Sequence, residues 1–219
     1  MVIRMALSFL VSYLFGSISF SIVISTLIYK DDIRNHGSGN AGSTNMLRTF
    51  GIPAAAGTLA GDFLKGFVGV RLSRFILNMG SPLEGMPADR AALIFRLGLY
   101  VAAAGALLGH LHPIFFGFKG GKGVSVTMGA LFGINPIGIT LATAIFLIIA
   151  FTSRIVSLAS ILASCSYTVI TFVMHFCFGE FTTVDLIAAV IFPAVIIYAH
   201  RTNITRLLNG TEYKFGQKK

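Results

Sequence analysis

The stretch VSVTMGALFGINPIGITLATAIFLIIAF, residues 124–151, contains no charged side chain. It is longer than the roughly 20 apolar residues that one helix needs to cross a bilayer core. Asn135-Pro136 falls near its middle. Proline lacks a backbone donor and biases the residue before it away from helical geometry, so the pair is a turn signal. Two short helices are therefore expected here rather than one. That division brings the apolar runs to seven: about Val2–Tyr29, Gly51–Met79, Ala91–Leu111, the two halves of 124–151, 155–178 and Val184–Ala199.

The composition leads to the same class. Of 219 residues, 55% are hydrophobic and only 11% charged, more apolar side chain than one soluble core of this length would hold. The expected fold is an all-α integral membrane protein with seven transmembrane helices, one polytopic domain over residues 1–219. No internal repeat is evident. The first run is too long for a signal-peptide core and lacks a convincing cleavage site, so it is read as a retained helix. A net charge of +9 would suggest nucleic acid in a soluble chain. Here the basic residues lie between apolar runs and in the tail, which points to membrane orientation and anionic ligands; nucleic acid is not expected. Cys165 and Cys177 lie in one run without ligand-spaced histidines and are read as small core residues. His110 and His112 have no accompanying cysteine or carboxylate, so neither a metal nor any other cofactor is expected.

Seven helices put the termini on opposite sides. Lys30, Arg34, Arg48, Lys119, Lys122, Arg154, Arg201, Arg206, Lys214, Lys218 and Lys219 fall on one face, and mainly Arg4, Arg90, Glu84, Asp89, Glu180 and Asp185 on the other. The positive-inside rule makes the first face cytoplasmic, with the N-terminus outside (periplasmic) and the C-terminus inside. Every segment rich in Gly, His, Asn or Arg then lands on that one face.

Two of these segments are glycine-rich. GSGNAGSTN, residues 37–45, offers Ser38, Asn40, Thr44 and Asn45, with Arg48 close behind. Glycines let backbone N–H groups approach an anion, hydroxyls and amides add hydrogen bonds, and Arg supplies a planar fork for phosphate or carboxylate. A flexible connector would also use Gly and Ser. GFKGGKGVS, residues 117–125, interleaves Gly120, Gly121 and Gly123 with Lys119 and Lys122 at the start of an apolar helix. Helix N-terminal amides and two ammonium groups make a phosphate cradle. The Walker A pattern is not met, because Phe116 and Gly123 stand where it needs Gly and Ser or Thr.

Asp62 and Lys65, three apart in an apolar run, share a helix face, where such charges are costly unless paired; an ion pair supporting the site is expected. His110 is read as a helix-end hydrogen-bonding group. Ser157 and Ser160 share a face near the start of the sixth run, compatible with binding or with small-residue packing. In the tail, His200, Asn203 and Arg206 are spaced along one helical side. Anchoring by positive charge accounts for the arginine but not for His and Asn together.

GSGNAGSTN with Arg48, then GDFLKG, GHLHPIFFGFKGGKGV, SRIVSLAS and HRTNITRLLNGTE, in this order and spacing, resemble the PlsY family of bacterial acyl-phosphate:glycerol-3-phosphate acyltransferases over nearly the whole chain. The resemblance implies a seven-helix enzyme of the bacterial inner membrane, multi-pass, with its active site at the cytoplasmic face. It further implies transfer of a fatty acyl group from acyl phosphate to the 1-hydroxyl of glycerol 3-phosphate, giving lysophosphatidic acid and inorganic phosphate in the first committed step of phospholipid synthesis. Implied partners are those two substrates, membrane lipid and a soluble acyl-phosphate synthase that supplies the donor. Carried onto this sequence, the family's motifs imply catalytic roles for Ser38, Arg48, Lys122, His200 and Asn203. They imply substrate or phosphate contacts for Asn40, Thr44, Asn45, Lys119, Gly120, Gly121, Gly123 and Arg206, and for Ser157, with Ser160 as its rival. Glu212 is implied as a structural carboxylate beside Asp62, Lys65 and His110. The outer loop and tail are longer than the family pattern, which touches no implied catalytic position. No protein base is implied, since the acceptor's own phosphate takes the proton, with His200 as the alternative base.

Two other functions use some of the same features. An anion transporter would also employ basic loops and intramembrane charges, but would be expected to show access from both faces and repeated halves. A non-enzymatic lipid-binding scaffold would bind these anions without releasing phosphate.

Overall fold

A computed structural model of the chain describes residues 1–179 and 181–216. Glu180, Lys218 and Lys219, used above to orient the chain, lie outside the described residues. Helices and turns are the only regular elements among those described. The chain forms two compact units, residues 1–134 and the remainder from Asn135 onward.

The first unit contains α1 (Val2–Gly16), α2 (Phe20–Ile28), α3 (Ser43–Phe50), α4 (Ile52–Asn78), α5 (Ala88–Leu111) and α6 (Val124–Phe132), with 3-10 turns at Ile33–Asn35 and Ile114–Phe116. The first apolar run is thus two helices, not one. Ser17, Ile18 and Ser19 interrupt it, and Ser19 enters α2 in extended geometry. The polar stretch expected between runs holds a helix of its own, α3, whose Met46 is fully buried against Ile22 and Ile33. Helices α1, α4 and α5 pack on one another, and α6 packs on α4.

Glycines permit the close crossings. A Cβ at Gly109 would strike the Tyr13 carbonyl, one at Gly105 the Phe9 carbonyl, and one at Gly16 the Ala106 carbonyl, all between α1 and α5. Gly66 meets the backbone of Val126 and Gly129 that of Phe63, between α4 and α6. Without an apolar driving force between helices in lipid, close backbone contact and interhelical hydrogen bonds must hold them. Ser12 and Ser73 supply one such bond, with their hydroxyl oxygens 3.1 Å apart.

The second unit contains α7 (Pro136–Ser153), α8 (Val156–Phe178), α9 (Thr183–Ala199) and α10 (Arg201–Leu208). Asn135 and Pro136 do separate α6 from α7: the Asn135 carboxamide accepts from the Gly138 amide at 3.0 Å, capping α7 at its start. Helix α8 packs on both α7 and α9. A capping box of Thr182 and Asp185 starts α9. At His200 the chain bends by 64° into α10.

Among the described residues, four stretches are long and apolar enough to cross a membrane: Val2–Ile28, Ala88–Phe116, Pro136–Ser153 and Val156–Phe178. The bent pair α9–α10 makes a fifth if it counts as one span. Helix α4 is long enough but carries Asp62, Lys65, Arg71 and Arg74, and α6 at nine residues extends only about 14 Å. The surface has the character of a lipid-facing one. Phe75, Phe151 and Phe176 are 69%, 71% and 75% exposed, whereas Ser8, Ser12, Thr58 and Ser73 are fully buried. Cys165 and Cys177 belong to the outer surface, exposed and unpaired, and not to the core as their size and setting suggest. In a membrane protein apolar faces look outward as well as inward, so apolar neighbours do not tell which way a residue points.

If backbone contact at the glycines sets the α1–α5 crossing, Gly109→Leu will destabilise the protein by at least about 2 kcal/mol through overpacking. Leu108→Ala, at a partly exposed position on the same helix, will leave the thermal transition in detergent nearly unchanged. Equal melting temperatures for the two variants would contradict this.

Candidate active site

In the first unit the site is built from two loops and a buried charge cluster. The first loop is folded by its own side chains. Asp32 caps the turn Ile33–Asn35 by accepting from the Arg34 amide at 2.9 Å, and its carboxylate takes the Arg34 guanidinium at 2.7 Å. The Arg34 hydrogen bond holds Asp32 below the usual carboxylate range, against the opposing effect of burial, and Arg34 is raised in turn. The remaining Arg34 nitrogen donates to the Phe116 carbonyl at 2.8 Å, which ties the first loop to the second. Asn45 is buried and closes the loop from inside. Its amide nitrogen donates to the carbonyls of His36 (2.9 Å) and Ile33 (3.2 Å), while its oxygen accepts from the Ser38 amide at 3.0 Å. Gly37 has φ +56 and lies so close to the Asn45 oxygen that a Cβ would collide with it.

The second loop leads into α6. Gly123 stands at the helix N-cap with φ +87, and no side chain caps the helix. The amides of Gly120 and Gly123 find no acceptor among the described residues. Donors of this kind at a helix N-terminus, beside Lys119 and Lys122, suit a phosphate. Asp32, Arg34, Asn35, Gly39, Lys119 and Gly120 line a cleft of about 360 Å³ between the two loops.

Beneath the loops, Lys65 is 3% exposed and Asp62 and His110 are buried with it. The Lys65 ammonium donates to the Ile18 carbonyl at 2.7 Å and to His110 Nδ1 at 2.9 Å, and lies 2.8 Å from the Asp62 carboxylate. The expected ion pair is present, and His110 joins it as a third member.

The second unit holds a separate cluster around Glu212. One carboxylate oxygen accepts from Asn203 Nδ2 at 2.7 Å and from the Ser157 hydroxyl at 3.0 Å; the other accepts from Arg206 Nε at 2.7 Å. Glu212 thereby pins α10 and the tail to α8. Burial pushes the Glu212 carboxyl up, but the hydrogen bonds from Asn203, Arg206 and Ser157 outweigh it and hold the group below its usual range. His200 is buried at the bend, its Nδ1 2.8 Å from the Ile196 carbonyl. A carbonyl only accepts, so Nδ1 is the donor in this contact.

This arrangement has close relatives. The sequence model of a family described as glycerol-3-phosphate acyltransferase matches residues 6–210, across both units. Proteins named glycerol-3-phosphate acyltransferase from Clostridioides difficile and Chromobacterium violaceum are 40% and 39% identical, each over 95% of this chain and 94% of its own. The chain belongs to the glycerol-3-phosphate acyltransferase family. Among solved structures it is similar to PlsY (YgiH), an integral membrane glycerol 3-phosphate acyltransferase. The glycerol 3-phosphate form has a TM-score of 0.81 and 36% identity over 97% of this chain and 96% of that one. The lysophosphatidic acid form has a TM-score of 0.77 and 34% identity over 97% and 95%. This protein is therefore an acyltransferase and an integral membrane protein of phospholipid synthesis.

The site residues named from the sequence of this acyltransferase fall into two groups. Ser38, Asn40, Thr44, Asn45, Arg48, Asp62, Lys65, His110, Lys119, Gly120, Gly121, Lys122 and Gly123 belong to the first unit; Ser157, Ser160, His200, Asn203, Arg206 and Glu212 belong to the second. Within the first, Ser38 and Lys119 are exposed and Asn40, Thr44 and Lys122 half-buried, while Arg48 occupies the last turn of α3. Asn45 is engaged in holding its own loop. Ser157 joins the Glu212 cluster, whereas the Ser160 hydroxyl bonds back to the Val156 carbonyl of its own helix at 2.9 Å. The two rivals thus differ in partner, Glu212 for Ser157 and its own helix for Ser160. The sequence reading missed Asp32 and Asn35, and gave Arg34 only a role in topology. The signal was there in Asp32-Ile33-Arg34, an Asx-type turn start with a basic residue two positions on.

The depressed Glu212 carboxyl makes a pH prediction. Its contribution to stability is present above the ordinary glutamate value of 4.5 and lost as pH falls through its lower folded value. Glu212→Gln will melt below wild type at pH 7, and the gap between the two curves will narrow on acidification below about 4.5. A gap that does not change with pH would refute the assignment.

Proposed function

We propose that this acyltransferase transfers a fatty acyl group from acyl phosphate to the 1-hydroxyl of glycerol 3-phosphate, forming lysophosphatidic acid and releasing inorganic phosphate, the first committed step of bacterial phospholipid synthesis. The observation that carries the donor assignment is the uncapped start of α6, where unbonded Gly120 and Gly123 amides stand beside Lys119 and Lys122. Glycerol 3-phosphate brings one phosphate, and the Arg206, His200 and Asn203 group supplies donors for a second anion. An acyl phosphate has the second phosphate that such a provision requires.

Bringing two phosphate groups together costs Coulomb energy that preorganised donors offset. We assign Lys122, Arg48, His200, Asn203 and Ser157 to this task, with Ser38, Asn40, Thr44 and the 119–123 loop around them. Acyl phosphate is an activated anhydride, so the hydroxyl attacks the carbonyl directly: the new ester C–O bond forms, the C–O bond to phosphate breaks, and inorganic phosphate leaves. The protein aligns the reactants and stabilises developing charge. The hydroxyl proton goes to the acceptor's own phosphate. A second reading has His200 as base, with Nδ1 donating to the Ile196 carbonyl and Nε2 the atom that would take the proton.

The enzyme acts as a single domain of the bacterial inner membrane, with seven transmembrane helices, an outer N-terminus, a cytoplasmic C-terminus and the site at the cytoplasmic face. A soluble acyl-phosphate synthase supplies the donor there. The charge distribution supports this orientation.

Purified protein given acyl phosphate and glycerol 3-phosphate is expected to produce lysophosphatidate and phosphate in equal amounts, and acyl-CoA to give no product. Accumulation of an acyl-enzyme at Ser38 would overturn direct transfer. Lys122→Met will raise KM for a phosphate-bearing substrate at least about tenfold or abolish turnover; unchanged kinetics would remove Lys122 from the site. For His200→Gln, a retained pH–rate profile with reduced affinity supports positioning, and loss of the basic limb supports base catalysis.

A further inference from the structure

The Asp62–Lys65–His110 cluster touches more than its own helices. The Gly121 amide donates to the His110 carbonyl at 3.2 Å. A Cβ at Gly120 would collide with that same carbonyl, and one at Gly121 with His110 Nε2 and, at 2.7 Å, with the Ala41 carbonyl of the first loop. Both glycines of the Gly120-Gly121 pair are therefore in contact with one histidine, and Gly121 is wedged between that ring and the first loop. The ring itself is not free to turn. Lys65, as an ammonium, has only donors, so its 2.9 Å contact makes Nδ1 the acceptor and places the ring proton on Nε2, at the Gly121 side. Lys65 is in turn held by the Ile18 carbonyl, which the break between α1 and α2 leaves without its helical partner, and by Asp62.

We propose that His110 is a positioning residue for acyl transfer, oriented by Lys65 and Asp62, which fixes the height and path of the 119–123 loop against the 37–45 loop. This rests on the reading of that loop as a phosphate cradle. It goes beyond charge neutralisation, because the cluster acts through one named contact surface, the His110 ring and carbonyl under Gly120 and Gly121. An ion pair needed only for folding would have no reason to fix a ring tautomer beneath two glycines. Displacement of a loop by even 1 Å lowers reaction rates by about a hundredfold in unfavourable cases, so a rigid support under flexible glycines serves the chemistry directly.

The test compares His110→Leu, which loses the Nδ1 acceptor, with His110→Asn, whose side-chain oxygen sits near the Nδ1 position and still accepts from Lys65. Gly121→Ala puts a methyl between the loop and the His110 ring and leaves Lys65 and Asp62 unchanged. Hydrogen exchange of the full-length protein is read over residues 117–123 and, as an internal control, over 95–105 of α5. His110→Leu and Gly121→Ala are expected to speed exchange in the loop at least about tenfold with the α5 control unchanged, and His110→Asn to restore most of the protection. KM for glycerol 3-phosphate or for the donor rises with the exchange, and kcat falls in the same order of variants. Loop exchange equal to wild type in Gly121→Ala overturns the proposal. So does equal acceleration of loop and α5 in both His110 variants, which marks a purely structural role. If His110→Leu does not fold, Gly121→Ala and His110→Asn decide alone. Should the wild-type protein not use acyl phosphate, the donor assignment fails while the exchange comparison still judges this proposal.

Discussion

A single buried ammonium organises the first unit. Lys65 lies in the middle of a helix bundle where an unpaired charge would be too costly to keep. It is surrounded by three acceptors from three different elements: the carboxylate of Asp62 one turn back on α4, the ring of His110 near the end of α5, and the Ile18 carbonyl at the break between α1 and α2. Each member solves a problem for another. The helix break exposes a carbonyl that no water in a bilayer would satisfy, and Lys65 satisfies it. The ammonium needs a counter-charge, which Asp62 supplies, and the histidine takes its remaining proton. Removing Lys65 would leave Asp62 buried without its counter-charge, which is the expensive case for a buried ion pair.

From that point the glycines follow. Where α1 crosses α5 and α4 crosses α6, backbones touch with no side chain between them, so the helices that carry Asp62, Lys65 and His110 are brought to hydrogen-bonding distance. Where the 119–123 loop passes over His110, glycine is again the residue that fits. In the loop the amides of Gly120 and Gly123 have no acceptor among the described residues. Glycine therefore serves close packing and, in the function proposed above, anion presentation, and Gly120 takes part in both.

The Glu212 cluster in the second unit follows the same logic with a carboxylate at the centre. Three donors from α8 and α10 converge on it, and the 64° bend at His200 brings Asn203 and Arg206 into range. Through its Nε, Arg206 is held on Glu212 together with Asn203 and Ser157. Donors already oriented by their neighbours cost nothing to reorganise when charge develops, which is what the proposed phosphate-binding role asks of this cluster.

Much of this was legible from the sequence, and for identifiable reasons. The apolar runs, the division at Asn135-Pro136 and the membrane class follow from composition and from proline chemistry, which act locally. So does the pairing of Asp62 with Lys65, since a three-residue spacing puts both on one helix face. The assignment of Ser38, Arg48, Lys122, His200 and Asn203 to one site came from the family resemblance of the motifs that hold them and belongs to the function proposed. What the tertiary structure decided involves partners far apart in the chain. The break at Ser17–Ser19 contains no proline, and the group that stabilises it comes from 47 residues away. Asn45 reads as a ligand-binding amide in isolation, yet every one of its donors is taken by the loop it closes. Ser157 and Ser160 share a face by spacing, and only the fold gives them different partners, Glu212 from 55 residues on for Ser157 and its own helix for Ser160. Cys165 and Cys177 read as core residues because lipid and protein interiors are equally apolar, and only the packing of helices shows which side of a helix faces out. Local chemistry determined which segments are helical and which carry charge; the choice of partner for each polar group in a medium without water belonged to the three-dimensional fold.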